Sequence, residues 1–174
     1  MASFKPLDLD EFPPERILIT RTDRLGDLVL STPVFEALRH KFPDSYLACL
    51  TFLENRPVVE GNPYLDEVIL YDKKGSEKSW WGNFRFALAL ARKRFDVAIH
   101  LHPTNRMHLV SWLAGIPFRI GYRKKNDWIL THAIYDRKGE GARHEAEYNF
   151  DLLFPGNEHG KLHIRSAPAP FKFP

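Results

Sequence analysis

The stretch Arg16-Ile-Leu-Ile-Thr-Arg-Thr-Asp-Arg-Leu-Gly-Asp-Leu-Val-Leu-Ser-Thr-Pro-Val-Phe-Glu-Ala-Leu-Arg39 decides the fold. Its first six residues form a short, β-branched, continuously apolar run, which predicts a strand covered on both faces. Thr22–Asp27 follows as a turn. From Leu28 to Phe42 the apolar residues Leu30, Val34, Leu38 and Phe42 recur at helical spacing. Ser31 and Thr32 are capping candidates, and Pro33 suits the first position of the regular helix after an irregular entry.

The same alternation continues outward. Strands are predicted at Tyr46–Phe52, Asp66–Tyr71, Phe95–Leu101 and Phe118–Tyr122, and helices at Asn55–Gly61, Asn83–Arg94, Met107–Ala114 and Ala142–Leu153. Apolar strands alternating with helices predict a doubly wound parallel α/β sheet of Rossmann-like type. The expected organisation is an extension over 1–15, one domain over 16–153, and a Pro-rich tail or linker over 154–174 without a packed element. A chain of 174 residues suits one such domain.

Composition narrows the function classes. The single Cys49 excludes an internal disulfide framework and a cysteine zinc site, and it fits a reducing, cytoplasmic compartment. The N-terminus is acidic and broken by Pro6, Pro13 and Pro14, unlike a secretory signal. The net charge of +3 demands no nucleic-acid partner. The charge is uneven, however. Between Arg85 and Lys125 lie nine Lys/Arg and one acid, Asp96. That stretch is either a solvated surface or a patch for phosphate or acidic lipid.

In an open parallel sheet, ligands bind beyond the carboxyl ends of the strands. Three loops leave such ends: Thr22–Asp27, His102–Arg106 and Arg123–Asp127. In the first, Gly26 permits positive φ or close approach of a ligand. Asp27, near the positive end of a helix, is either a cap or a general base for a substrate hydroxyl. The loop lacks both the G-x-G-x-x-G and the G-K-[ST] devices, which disfavours a nucleotide site of those kinds.

Arg16–Arg39 resembles the N-terminal signature of glycosyltransferase family 9, which contains the lipopolysaccharide heptosyltransferases. Asn62–Val68, Phe95–Leu101, Ser111–Tyr122 and His144–Leu153 resemble later segments of the family in the same order. The resemblance implies the N-terminal, acceptor-binding half of a GT-B glycosyltransferase. It implies inverting, metal-independent transfer of a heptose from ADP-heptose to a lipid-linked inner-core saccharide. It needs no cofactor, and the nucleotide-sugar donor is held mainly by a C-terminal domain. Asp27 takes the position of the family's catalytic base. This chain alone is then expected to be inactive. The alternative is a non-catalytic remnant or module that binds an anionic glycolipid or a partner protein.

Acceptor contacts are expected from Arg21, Arg24, Gly26, His102, Arg106, Arg123 and His144. Arg21 and Arg24 are equally suited to ion pairs with Asp23 or Asp27. His100 stands where the family often has an acid, and is either a satisfied core histidine or an altered polar contact. Arg119, Arg123, Lys124 and Lys125 are candidates to face an anionic acceptor or the cytoplasmic face of the inner membrane. Trp80, Trp81 and Trp128 are expected mostly in the core, with lipid or sugar contact as the other reading.

Overall fold

A computed structural model describes residues 13–123, 127–135, 148–150, 152 and 162–164. Among the described residues seven strands form one sheet: β1 (Arg16–Arg21), β2 (Tyr46–Phe52), β3 (Glu67–Tyr71), β4 (Val97–His100), β5 (Phe118–Arg123), β6 (His132–Tyr135) and β7 (Leu162–Ile164). Their order is β3-β2-β1-β4-β5-β6-β7. The first six are parallel, and β7 runs antiparallel to β6. Strand order reverses at β1, between β2 and β4, so the switch point lies beside the loop that leaves β1.

The sequence of β1 explains its central place. Ile17 and Ile19 enter one core with Val34, Phe35, Leu38, Leu47, Cys49, Val97 and Ile99. Leu18 points the other way, into a second core with Ala48, Leu50, Ala87, Leu90, Ala98, Met107 and Val110. A period of two is present but hidden, because both faces are covered. Cys49 is fully buried, and desolvation pushes its thiol up to about 12, so it stays protonated.

The helix predicted after β1 is divided. α1 (Leu25–Val29) and α2 (Thr32–Lys41) are separate, with Pro33 in the first turn of α2. Ser31 precedes α2 but makes no side-chain cap; its hydroxyl donates to the Asp27 carbonyl at 2.7 Å. A short helix, α3 (Arg56–Val59), precedes β3, and α4 (Trp80–Ala91) and α5 (Asn105–Leu113) cover the second face. α4 begins three residues earlier than expected, where Ser79 accepts a cap bond from the Gly82 amide at 3.0 Å.

Three expectations are corrected. The tail contains the strand β7, which extends the sheet past β6. Arg119 faces neither solvent nor membrane: its guanidinium is buried, donating to the carbonyls of Ile129, Ile116 and Pro117. Burial pulls its pKa down to about 10. Trp80, Trp81 and Trp128 are outside the core, at 59%, 72% and 53% exposure. The helix expected at 142–153 is described only at residues 148–150. Lys124 and Lys125 lie outside the described residues.

His100 is a satisfied core histidine. It is fully buried, with Nδ1 2.8 Å from Thr20 Oγ1 and Nε2 3.1 Å from Ser111 Oγ. Ser111 already donates its hydrogen to the His108 carbonyl, so Nε2 of His100 is the donor and Nδ1 accepts from Thr20. Desolvation, the larger influence, and His108 hold His100 well below its ordinary value, and burial lowers His132 to about 4.

An acid-sensitive fold follows. Both imidazoles are neutral in the folded state, so below about pH 6.5 the unfolded chain binds protons that the folded chain refuses. Stability is therefore lost as pH falls from about 6.5 toward 4. His132, with its value near 4, costs about 2 kcal/mol by pH 5, and His100 adds to the loss in the same direction. The urea midpoint is expected to drop between about pH 7.5 and pH 5. An unchanged midpoint would contradict this account.

Candidate active site

At the switch point an open cleft of about 830 Å³ is lined by residues after β1 (Thr22, Asp23, Arg24, Leu25, Asp27), at the end of β2 and after it (Phe52, Glu54, Asn55), after β3 (Lys73) and after β4 (His102). Asp27 is the third residue of α1, not its cap; the cap position is Arg24, which makes no side-chain cap bond. The Asp27 side chain is 39% exposed to the cleft. Gly26 does not have positive φ, contrary to one of the two reasons expected for it. A Cβ built there meets nothing within 4 Å, so internal packing does not require glycine. Its effect is to leave open backbone beside the Asp27 carboxylate.

Arg21 does not face the cleft. Its side chain is 2% exposed. Nε donates to Asp23 Oδ1 at 2.9 Å, Nη1 donates to the Leu101 carbonyl at 2.9 Å and to Asn149 Oδ1 at 3.5 Å, and Nη2 lies 3.8 Å from Asp27 Oδ1. The expectation of an acceptor contact gives way to the ion-pair reading, because the guanidinium is spent inside the domain. Its two acidic neighbours differ. Asp23 is largely buried, and desolvation outweighs the attraction of Arg21 and His102, raising its carboxyl pKa. Asp27 stands at the cleft edge.

His102 Nδ1 lies 3.2 Å from Asp23 Oδ2, and its ring is 35% exposed in the cleft. Arg24 is exposed there too. The chain thus brings Arg24, Gly26, Asp27 and His102 together, with Arg21 behind them. It does not bring Arg106 or Arg123. Arg106 is in the first turn of α5 and lines a separate groove of about 340 Å³ with Trp80 and Asn83. Arg123 pairs with Asp127 at 3.0 Å beyond β5. His144 lies outside the described residues.

Sequence reasoning missed the support behind Asp27. Asn149 accepts from Arg21 and donates to Ser31 Oγ at 3.2 Å; Ser31 in turn donates to the Asp27 carbonyl. Asn55 Nδ2 donates to the Asp23 carbonyl at 3.1 Å. Only the spacing Arg21-x-Asp23 signalled any of this. Among the described residues no group of three His, Cys, Asp or Glu is placed to hold a metal ion.

The doubly wound sheet is the fold of solved glycosyltransferase family 9 structures. The crystal structure of a family 9 glycosyl transferase from Veillonella parvula superposes with a TM-score of 0.71 and 30% identity, over 87% of this chain and 45% of that one. The fold is also that of Escherichia coli ADP-heptose lipopolysaccharide heptosyltransferase II, with TM-score 0.70 and 21% identity, over 89% of this chain and 45% of that one.

The curated relatives agree. A Haemophilus influenzae protein provisionally described as a glycosyltransferase is 29% identical over 140 residues, 80% of this chain and 40% of the relative. E. coli lipopolysaccharide heptosyltransferase 2 is 25% identical over 119 residues, 68% of this chain and 34% of the relative. No protein-family model matches the chain. The resemblance to glycosyltransferase family 9 read from the sequence is borne out by these likenesses. The chain spans less than half the length of each of these proteins.

Proposed function

We propose that this chain is the acceptor-binding half of a GT-B glycosyltransferase that moves a heptose, or a similar sugar, from a nucleotide sugar to an anionic, lipid-linked saccharide. The observation that carries this reading is the placement of Asp27: exposed in the cleft, beside open backbone at Gly26, with the buried Arg21 cation 3.8 Å behind it. Asp27 accepts the proton of the acceptor hydroxyl as that oxygen attacks the anomeric carbon. The bond to the diphosphate breaks in the same displacement, so the anomeric configuration inverts. Arg21, whose Nη2 lies 3.8 Å from Asp27 Oδ1, orients the carboxylate for this step.

Arg24 and His102 supply hydrogen bonds to the acceptor at the cleft. The transfer needs no metal in this scheme. The charge of the departing diphosphate is met by a donor-binding half, and the reaction takes place at the cytoplasmic face of the inner membrane.

Two measurements test the reading. The 174-residue chain is expected to bind the acceptor glycolipid in titration calorimetry and to transfer no sugar from ADP-heptose. Addition of a complementary donor-binding half is expected to restore transfer. Turnover by the chain alone would refute the division of labour, and absence of acceptor binding would refute the assignment of this half.

A further inference from the structure

α4 is built like an interfacial helix. Trp81, Phe84, Arg85, Leu88 and Arg92 recur at offsets of three, four, seven and eleven residues from Trp81, which puts them on one face. That face is turned away from the core, since Ala87 and Leu90 are the residues α4 buries. Trp81 is 72% exposed and meets the Phe84 ring edge-on at 6.3 Å. Arg85, Ala89 and Arg92 are exposed beside it. Residues 78–94 contain five basic side chains and no acid. One of the five, Lys93, is paired with Glu67.

Two features make this face unusual for a surface helix. Trp81 stands on its outside with Phe84 half-buried beside it, and the charges that α4 itself presents there, Arg85 and Arg92, are both basic, with Glu77 of the preceding loop lining the groove next to them. An aromatic row with flanking cations matches the headgroup boundary of an anionic bilayer, where indole sits amphipathically and Lys/Arg meet phosphate. Location adds to the match: the N-terminus of α4 follows the carboxyl end of β3, so Trp80 and Trp81 stand on the same end of the sheet as the cleft of Asp27.

We infer that the outer face of α4 docks this domain on an anionic lipid surface, with Trp81 as anchor and Arg85 and Arg92 as phosphate contacts. Bound this way, the cleft opens next to the bilayer. The inference rests on the glycolipid reading for its purpose, but its test uses vesicles without any glycolipid, so the two can fail separately.

The 174-residue chain is expected to sediment with vesicles of phosphatidylglycerol and phosphatidylcholine in equal parts, and not with phosphatidylcholine alone. High salt should release it. Trp81→Ser, and separately Arg85→Glu with Arg92→Glu, should each weaken vesicle binding about tenfold or more. Trp128→Ser should leave it unchanged. Equal binding to neutral vesicles, or unchanged binding in Trp81→Ser, would overturn the proposal. So would self-association of the chain that Trp81→Ser abolishes, because a second copy would then be the occupant of this face.

Discussion

Asp27→Asn, in the chain joined to a donor-binding half, is expected to reduce transfer by about 10²–10⁴-fold while leaving acceptor affinity within a few-fold of the original. The amide keeps the size and much of the hydrogen-bonding shape of the carboxylate, but it cannot take a proton. The loss should appear in kcat rather than KM, because proton transfer belongs to the transition state. The side chain is 39% exposed and in the first turn of a five-residue helix, so the fold should not depend on it. Circular dichroism and acceptor calorimetry separate a chemical defect from a folding one. Near-normal kcat in a folded variant would remove Asp27 as the base.

Arg21→Met is expected to have the largest effect on stability. The guanidinium is buried and satisfies Asp23, the Leu101 carbonyl and Asn149 at once. Its loss leaves a buried carboxylate without its main counter-charge, which costs about 3–5 kcal/mol. For a domain of this size that lowers Tm by roughly 10 °C. Arg21→Lys should recover only part of the loss, because a point charge cannot reproduce the fork that reaches three partners. Pairing Arg21→Met with Asp23→Leu should lose less than Arg21→Met alone, since both buried charges are then gone. A Tm within a degree of the original in Arg21→Met would show that the buried network carries no stability.

Much of the fold was readable because covered parallel strands announce themselves. Arg16–Arg21, Tyr46–Phe52 and Phe95–Leu101 are short apolar runs, and each corresponds to a strand near the middle of the sheet. β6 was missed, because four residues beginning with a histidine carry too little apolar pattern. β7 was hidden in a stretch marked by Pro and Gly. The basic stretch misled for a physical reason: linear charge counting cannot see that Arg119 alternates into the interior of β5. The tryptophans misled in the opposite direction, since average burial by residue type does not place a particular side chain: Trp80 and Trp81 open α4 and Trp128 stands in a turn after β5.

The candidate site was legible in part. Asp27 stood out through the strand, turn and helix order around it. Arg24 and His102 do reach the same cleft. The hub behind them was not legible, because Arg21 meets Leu101 and Asn149 only after segments 80 and 128 residues away close on it. No local pattern encodes such a meeting.

That wide separation orders events during synthesis. Only a short connection separates β1 from β2, so the two can pair early. The other edge of β1 stays open until β4 arrives, because Ile17 to Thr20 are matched to Val97 to His100. Closing a loop of this length costs chain entropy before any contact repays it. The carbonyl of Leu101 that holds Arg21 is supplied just after β4, and Asn149 later still. A nascent chain that ends before β4 therefore carries Asp27 without His102 in its cleft or the Leu101 carbonyl behind Arg21.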